Sequence, residues 1–196
     1  NASEIGVILF AMVAGMPLPL LPLQILWVNL MTDSWPALAL GVDKAEGDVM
    51  KRKPRKPTES IFAGLTGDFI ITGLLGTLVV LGIFIWAEGV VELAEARTIA
   101  LSTLIVFELF RAYSCRTTKP FQPVFANKWL NVATLVSIGL HLLILYTPLH
   151  VAFKLVPLGW GMWWKILLLG STGFFVLEIW KIVKYRRTLR SAEALL

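Results

Sequence analysis

Six stretches of nearly continuous apolar sequence, each close to the length that crosses a lipid bilayer, dominate this 196-residue chain. They run over 1–20, 23–41, 61–86, 96–115, 128–147 and 162–182. A hydrocarbon core about 30 Å thick takes roughly 20 apolar residues per helix. Backbone at that depth has to satisfy its own hydrogen bonds, so helices are the expected solution. Composition agrees, with 57% hydrophobic residues, 16% charged residues and a mean hydropathy of +0.74. A soluble domain carries about 45–50% apolar and about 25% charged residues. The expected fold class is an all-α membrane protein, a bundle of six transmembrane helices whose short connections leave no room for a folded soluble domain. A single cysteine, Cys115, excludes an internal disulfide and reads as a plain apolar side chain.

Proline and charge punctuate the spans. Pro17, Pro19 and Pro22 break the helix between the first two segments and predict a tight hairpin. The connection 42–60 holds Lys44, Lys51, Arg52, Lys53, Arg55 and Lys56 together with Pro54 and Pro57, the pattern of a solvated basic loop. Glu88, Glu92 and Glu95 make the next turn acidic. Fifteen of the eighteen bases fall on one side of the expected membrane, and only Arg97, Lys154 and Lys165 fall on the other. The positive-inside rule then puts the basic loops and the C-terminus in the cytoplasm. Trp160, Trp163 and Trp164 cluster where an interfacial aromatic belt is expected. The net charge of +5 is a topology signal; without interleaved stacking aromatics it does not point to nucleic acid. The opening Asn1-Ala2-Ser3-Glu4 runs straight into apolar sequence with no signal-peptide pattern, so the chain is expected to begin inside a helix of a longer protein.

Acids at membrane depth are the informative residues, because each costs about 2.5–3.5 kcal/mol at mid-bilayer. Glu4, Asp33 and Glu108 are the three candidates. Asn29, Thr32 and Asp33 stand at i, i+3 and i+4, so one helical face presents an amide, a hydroxyl and a carboxylate. Asn1 and Glu4 share a face in the same way. Pro36 has no N–H to give the Thr32 carbonyl, which is expected to turn toward a ligand. An all-oxygen donor set suits a hard cation such as calcium, and the lack of thiolate or imidazole disfavours zinc and copper. Buried carboxylates left by a departing ion favour proton uptake, which makes cation-for-proton exchange an expectation. The competing readings are specific: interhelical hydrogen bonding for Asn29, Thr32 and Asp33, an interfacial position for Glu4, and a local ion pair with Arg111 for Glu108. Glu178 reads as the ion-pair partner of Lys181, Asp68 as an acid snorkelling to water, His141 as a hydrogen-bonded packing residue and His150 as loop.

The string Leu26-Trp27-Val28-Asn29-Leu30-Met31-Thr32-Asp33, followed by Pro36 and Leu40-Gly41, resembles the sixth transmembrane helix of P-type calcium-transporting ATPases of the sarco/endoplasmic-reticulum type. Asn1-x-x-Glu4 resembles the fifth-helix motif of that family. Asp48-Val49-Met50 with Arg52 and Pro54-Arg55 resembles the cytosolic loop after helix six, Glu108 falls where helix eight carries its ligand carboxylate, and Leu140 to Tyr146 resembles helix nine. The resemblance covers essentially the whole chain. It implies that 1–196 is the C-terminal transmembrane domain, helices five to ten of a ten-helix pump, without the domains that bind ATP and Mg2+ and carry the phosphorylated aspartate.

The resemblance also implies two calcium sites. Asn1, Glu4, Thr32, Asp33 and Glu108 would line one, and Asn29 with the shared Asp33 would serve the second beside the family's fourth helix. Thr32 and Glu4 favour this two-site pattern over plasma-membrane and Golgi-type pumps, and Asn29 distinguishes the chain from sodium/potassium pumps. Ser34 and Arg111 depart from the family's usual residues. The implied function is ATP-driven calcium export with proton counter-transport by a multi-pass protein of a prokaryotic plasma membrane, partnered by lipid and the rest of the pump. Two other classes stay open: a secondary cation/proton antiporter, which often shows internal repeats not seen here, and a non-catalytic accessory bundle.

Overall fold

The computed structural model describes residues 1–45, 50, 58, 60 and 65–193, with side chains as far as residue 186. The five bases at 51–53 and 55–56 of the expected cytosolic loop, and the first residues of the third segment, lie outside the described residues. Within these limits the chain is all-helical.

Helix α1 runs Ala2–Val13 and is shorter than the expected segment 1–20. Gly15 adopts φ +66, a left-handed conformation that costs glycine little, and Pro17 and Pro19 deny the next turns their donors. Pro22 opens α2 (Pro22–Trp27) at a position where its missing N–H costs nothing. Gln24 is fully buried and ties this corner down, accepting from the Leu21 N–H at 3.0 Å and donating to the Phe153 carbonyl at 3.0 Å. The chain then passes through a π-helical turn, Val28–Asp33, into α3 (Ser34–Gly41).

Helices α4 (Thr66–Glu88), α5 (Leu93–Ser114), α6 (Lys128–Tyr146) and α7 (Trp160–Glu193) follow. Among the described residues α4, α6 and α7 are long and apolar enough to cross a membrane. Helix α5 is as long but carries Glu95, Arg97, Glu108 and Arg111, and it lies in the centre of the bundle against α4 and α7. Its residues from Thr98 to Leu109 are all buried, which keeps Glu108 away from lipid. Phe107 is the keystone of that packing. A Cβ added at Gly76 or Gly173 would sit 2.9 Å from its ring, and one at Gly170 would sit 2.5 Å from Val106 Cγ1. Small residues at helix contacts let backbones approach closely where no hydrophobic driving force separates lipid from protein. Outward-facing Leu78, Leu135 and Leu168 are about 70% exposed, the surface left for lipid.

Polar contacts pin the helices to one another. Glu178 is buried, pairs with Lys181 at 2.6 Å as expected from the i,i+3 spacing, and also accepts from Ser114 Oγ and the Phe121 N–H. Asp68 stays partly exposed and also accepts from Trp180 Nε1 at 2.7 Å and pairs with Lys184 at 2.8 Å, a link between α4 and α7 that sequence distance concealed. His141 packs as expected, sharing a hydrogen bond with Ser102 Oγ at 2.9 Å and meeting the Trp163 ring edge-on. His150 lies in a short 3₁₀ turn, Pro148–Val151. Cys115 is exposed at the end of α5. At the opposite end from His150, Arg116 donates to Asp43 at 2.7 Å and to the carbonyls of Pro123 and Val124, holding the end of α3 to the segment after α5. Outside any helix, the Asp43 carboxyl is held below its ordinary value by that guanidinium bond.

Candidate cation site

The π-helical turn carries three of the six residues singled out from sequence. A π turn widens the helix by one residue and occurs often at functional sites. Here its origin is visible in the bonds. Pro36 leaves the Thr32 carbonyl without a helical donor. Ser34 Oγ reaches back to the Asn29 carbonyl at 3.0 Å, while Ser137 Oγ from α6 lies 3.4 Å from the carbonyls of both Met31 and Thr32. The expected free carbonyl at Thr32 is therefore served by a hydroxyl, because α6 packs against this turn.

Asn29 is the hub. Its Nδ2 donates to Glu4 Oε2 at 3.1 Å and to the Ile25 carbonyl at 3.0 Å, and its Oδ1 accepts from Asn1 Nδ2 at 2.5 Å. The structure thus joins Asn1, Glu4 and Asn29 in direct contact, although 25 residues separate the last two. Glu4 is 4% exposed, and its Oε1 is buried with no hydrogen-bond partner among the described residues. A carboxylate oxygen without a donor is costly away from water. Thr32 is buried, and its hydroxyl hydrogen goes to the Val28 carbonyl at 2.7 Å, leaving oxygen lone pairs unspent. Asp33 is partly buried one turn after Asn29.

Glu108 has a different environment. Its Oε1 accepts from Ser3 Oγ at 2.8 Å, and its Oε2 is 2.5 Å from both Nε and Nη2 of Arg111. Between the two sequence readings of Glu108, the structure contains the ion pair. Among the described residues no three Asp, Glu, His or Cys side chains gather closely enough to hold a metal by themselves, so any cation here needs the neutral oxygens as well. Ser3 and Ser137 were not singled out from sequence. A lone hydroxyl in an apolar helix carries no spacing signal, and only helix packing gives each its partner.

Comparison with known proteins follows the same line. Residues 17–183 match the family described as "Cation transporting ATPase, C-terminus". A calcium-transporting ATPase of Bacillus subtilis is 43% identical over 90% of this chain and 21% of its own length. An endoplasmic reticulum-type calcium-transporting ATPase 3 of Arabidopsis thaliana is 32% identical over all of this chain and 24% of its length, and calcium-transporting ATPase 1 of Bacillus cereus is 34% identical over 94% and 23%. The chain therefore spans between a fifth and a quarter of these relatives. A buried charged helix wrapped by lipid-facing ones, a π turn bearing amide, hydroxyl and carboxylate, and a family match over most of the sequence agree: this chain is an integral membrane protein that belongs to the cation-transporting ATPase C-terminal family.

Proposed function

We propose that the chain supplies the intramembrane cation ligands of an ATP-driven calcium pump of the sarco/endoplasmic-reticulum type, a P-type ATPase whose ATP- and Mg2+-binding domains belong to the rest of the protein. The observation that carries this reading is the Glu4–Asn29 contact: Glu4 Oε2 accepts from Asn29, one helical turn before Asp33, while the buried Oε1 has no hydrogen-bond partner among the described residues. A hard dication accepts six to eight oxygens in loose geometry. Asn1, Glu4, Asn29, Thr32 and Asp33 offer such oxygens from two helices, and helix four of the pump would complete the shell. When the ion departs toward the outside, Glu4 and Asp33 are the groups that would take up protons for counter-transport.

The names of the relatives, which are calcium-transporting ATPases, support calcium as cargo. Compact loops favour a prokaryotic plasma membrane, and the distribution of bases favours a cytoplasmic C-terminus, with loop 42–60 against the phosphorylation domain. The test is D33N in the full-length pump. Calcium-dependent phosphorylation by ATP is expected to be lost; retained high-affinity calcium dependence overturns the assignment.

A further inference from the structure

The resemblance gives Glu108 to a calcium ion, but the structure gives it to Arg111. Both nitrogens facing the carboxylate, Nε and Nη2, lie 2.5 Å from the same oxygen, and Ser3 Oγ occupies the other. The i,i+3 spacing on α5 makes the two side chains neighbours on one helix face. A guanidinium keeps its charge at every working pH. A calcium ion sits about 2.3–2.6 Å from a carboxylate oxygen, so one sharing Glu108 Oε2 would lie within about 5 Å of that fixed charge. Glu108 and Arg111 border a cavity of about 190 Å³ with Asn1, Ser3 and Asp68.

We propose that Arg111 is a tethered cation standing in for one of the two calcium ions implied by the resemblance, so that the pump carries one calcium per cycle. The residues left for that ion are Asn1, Glu4, Asn29, Thr32 and Asp33, with helix four of the pump. This inference rests on the calcium-pump reading and makes Arg111 a stoichiometry-determining residue.

The experiment counts radioactive calcium bound per phosphorylatable full-length pump at saturating calcium, together with the Hill coefficient of calcium-dependent phosphorylation. The unaltered protein is expected to bind one ion with a coefficient near one. R111Q frees Glu108 and is expected to double the count and raise the coefficient; R111Q combined with E108Q is expected to return both to their starting values. Two ions in the unaltered pump, with calcium-stimulated phosphorylation intact, overturn this inference alone. A phosphorylatable R111Q that still binds one ion overturns the role of Arg111, and R111M provides the same test if R111Q does not fold. Absence of any calcium-stimulated phosphorylation in the unaltered pump overturns the calcium reading and this inference with it.

Discussion

Glu4 on the first helix and Asn29 in the π turn of the second are joined by a 3.1 Å hydrogen bond between a buried carboxylate and an amide. The contact couples two helices through oxygen-bearing groups, so movement of either helix changes the proposed site. Because Asn29 also meets Asn1, three oxygen-bearing side chains converge on one point of the bundle.

The first expectation concerns that contact. E4Q keeps the shape of the side chain but removes its charge, while N29A removes the amide that orients it. Each is expected to lower apparent calcium affinity about 10- to 100-fold, the usual cost of losing a ligand or its support. Thermal unfolding of the full-length pump in detergent reads the same loss, since a ligand at 100 times its Kd stabilises by about 2.7 kcal/mol. Equal calcium protection in E4Q and the unaltered protein would exclude Glu4 from the site.

Packing around Phe107 leads to the second. Gly173 lies so close to this ring that any Cβ would fall 2.9 Å from it, and Phe107 is itself fully buried. G173A is expected to destabilise by about 1–3 kcal/mol, the cost of overpacking a well-filled interior. G82A, where a Cβ meets open space, provides the control. Similar melting temperatures for the two variants would contradict the packing described here.

The third uses pH. Asp43 has its carboxyl lowered from 3.8, first by the Arg116 bond and further by the Lys44 N–H. A depressed folded-state value means that the carboxylate contributes stability above the unfolded value, and that this contribution fades as pH falls through the folded one. The gap in melting temperature between the unaltered protein and D43N is therefore expected to be constant above about pH 5 and to close below 3.8. A gap that instead widens on acidification would reverse the sign and refute the pairing.

Much of the architecture follows from sequence alone, for a physical reason: hydrocarbon rewards long apolar runs with helices, and helical period places i, i+3 and i+4 on one face. That local rule determined the fold class, the Glu178–Lys181 pair and the candidacy of Arg111 as partner to Glu108. Pro36 likewise announced irregular backbone near Thr32. Only tertiary structure decided which distant groups meet. Glu4 with Asn29, Ser3 with Glu108, Ser137 with the π turn and Asp68 with Trp180 and Lys184 are separated by 25 to 116 residues, and no periodicity reaches across such gaps. They depend on how closely glycine-lined helices approach one another, a matter of shape that apolar residues in lipid leave undetermined until the bundle is packed.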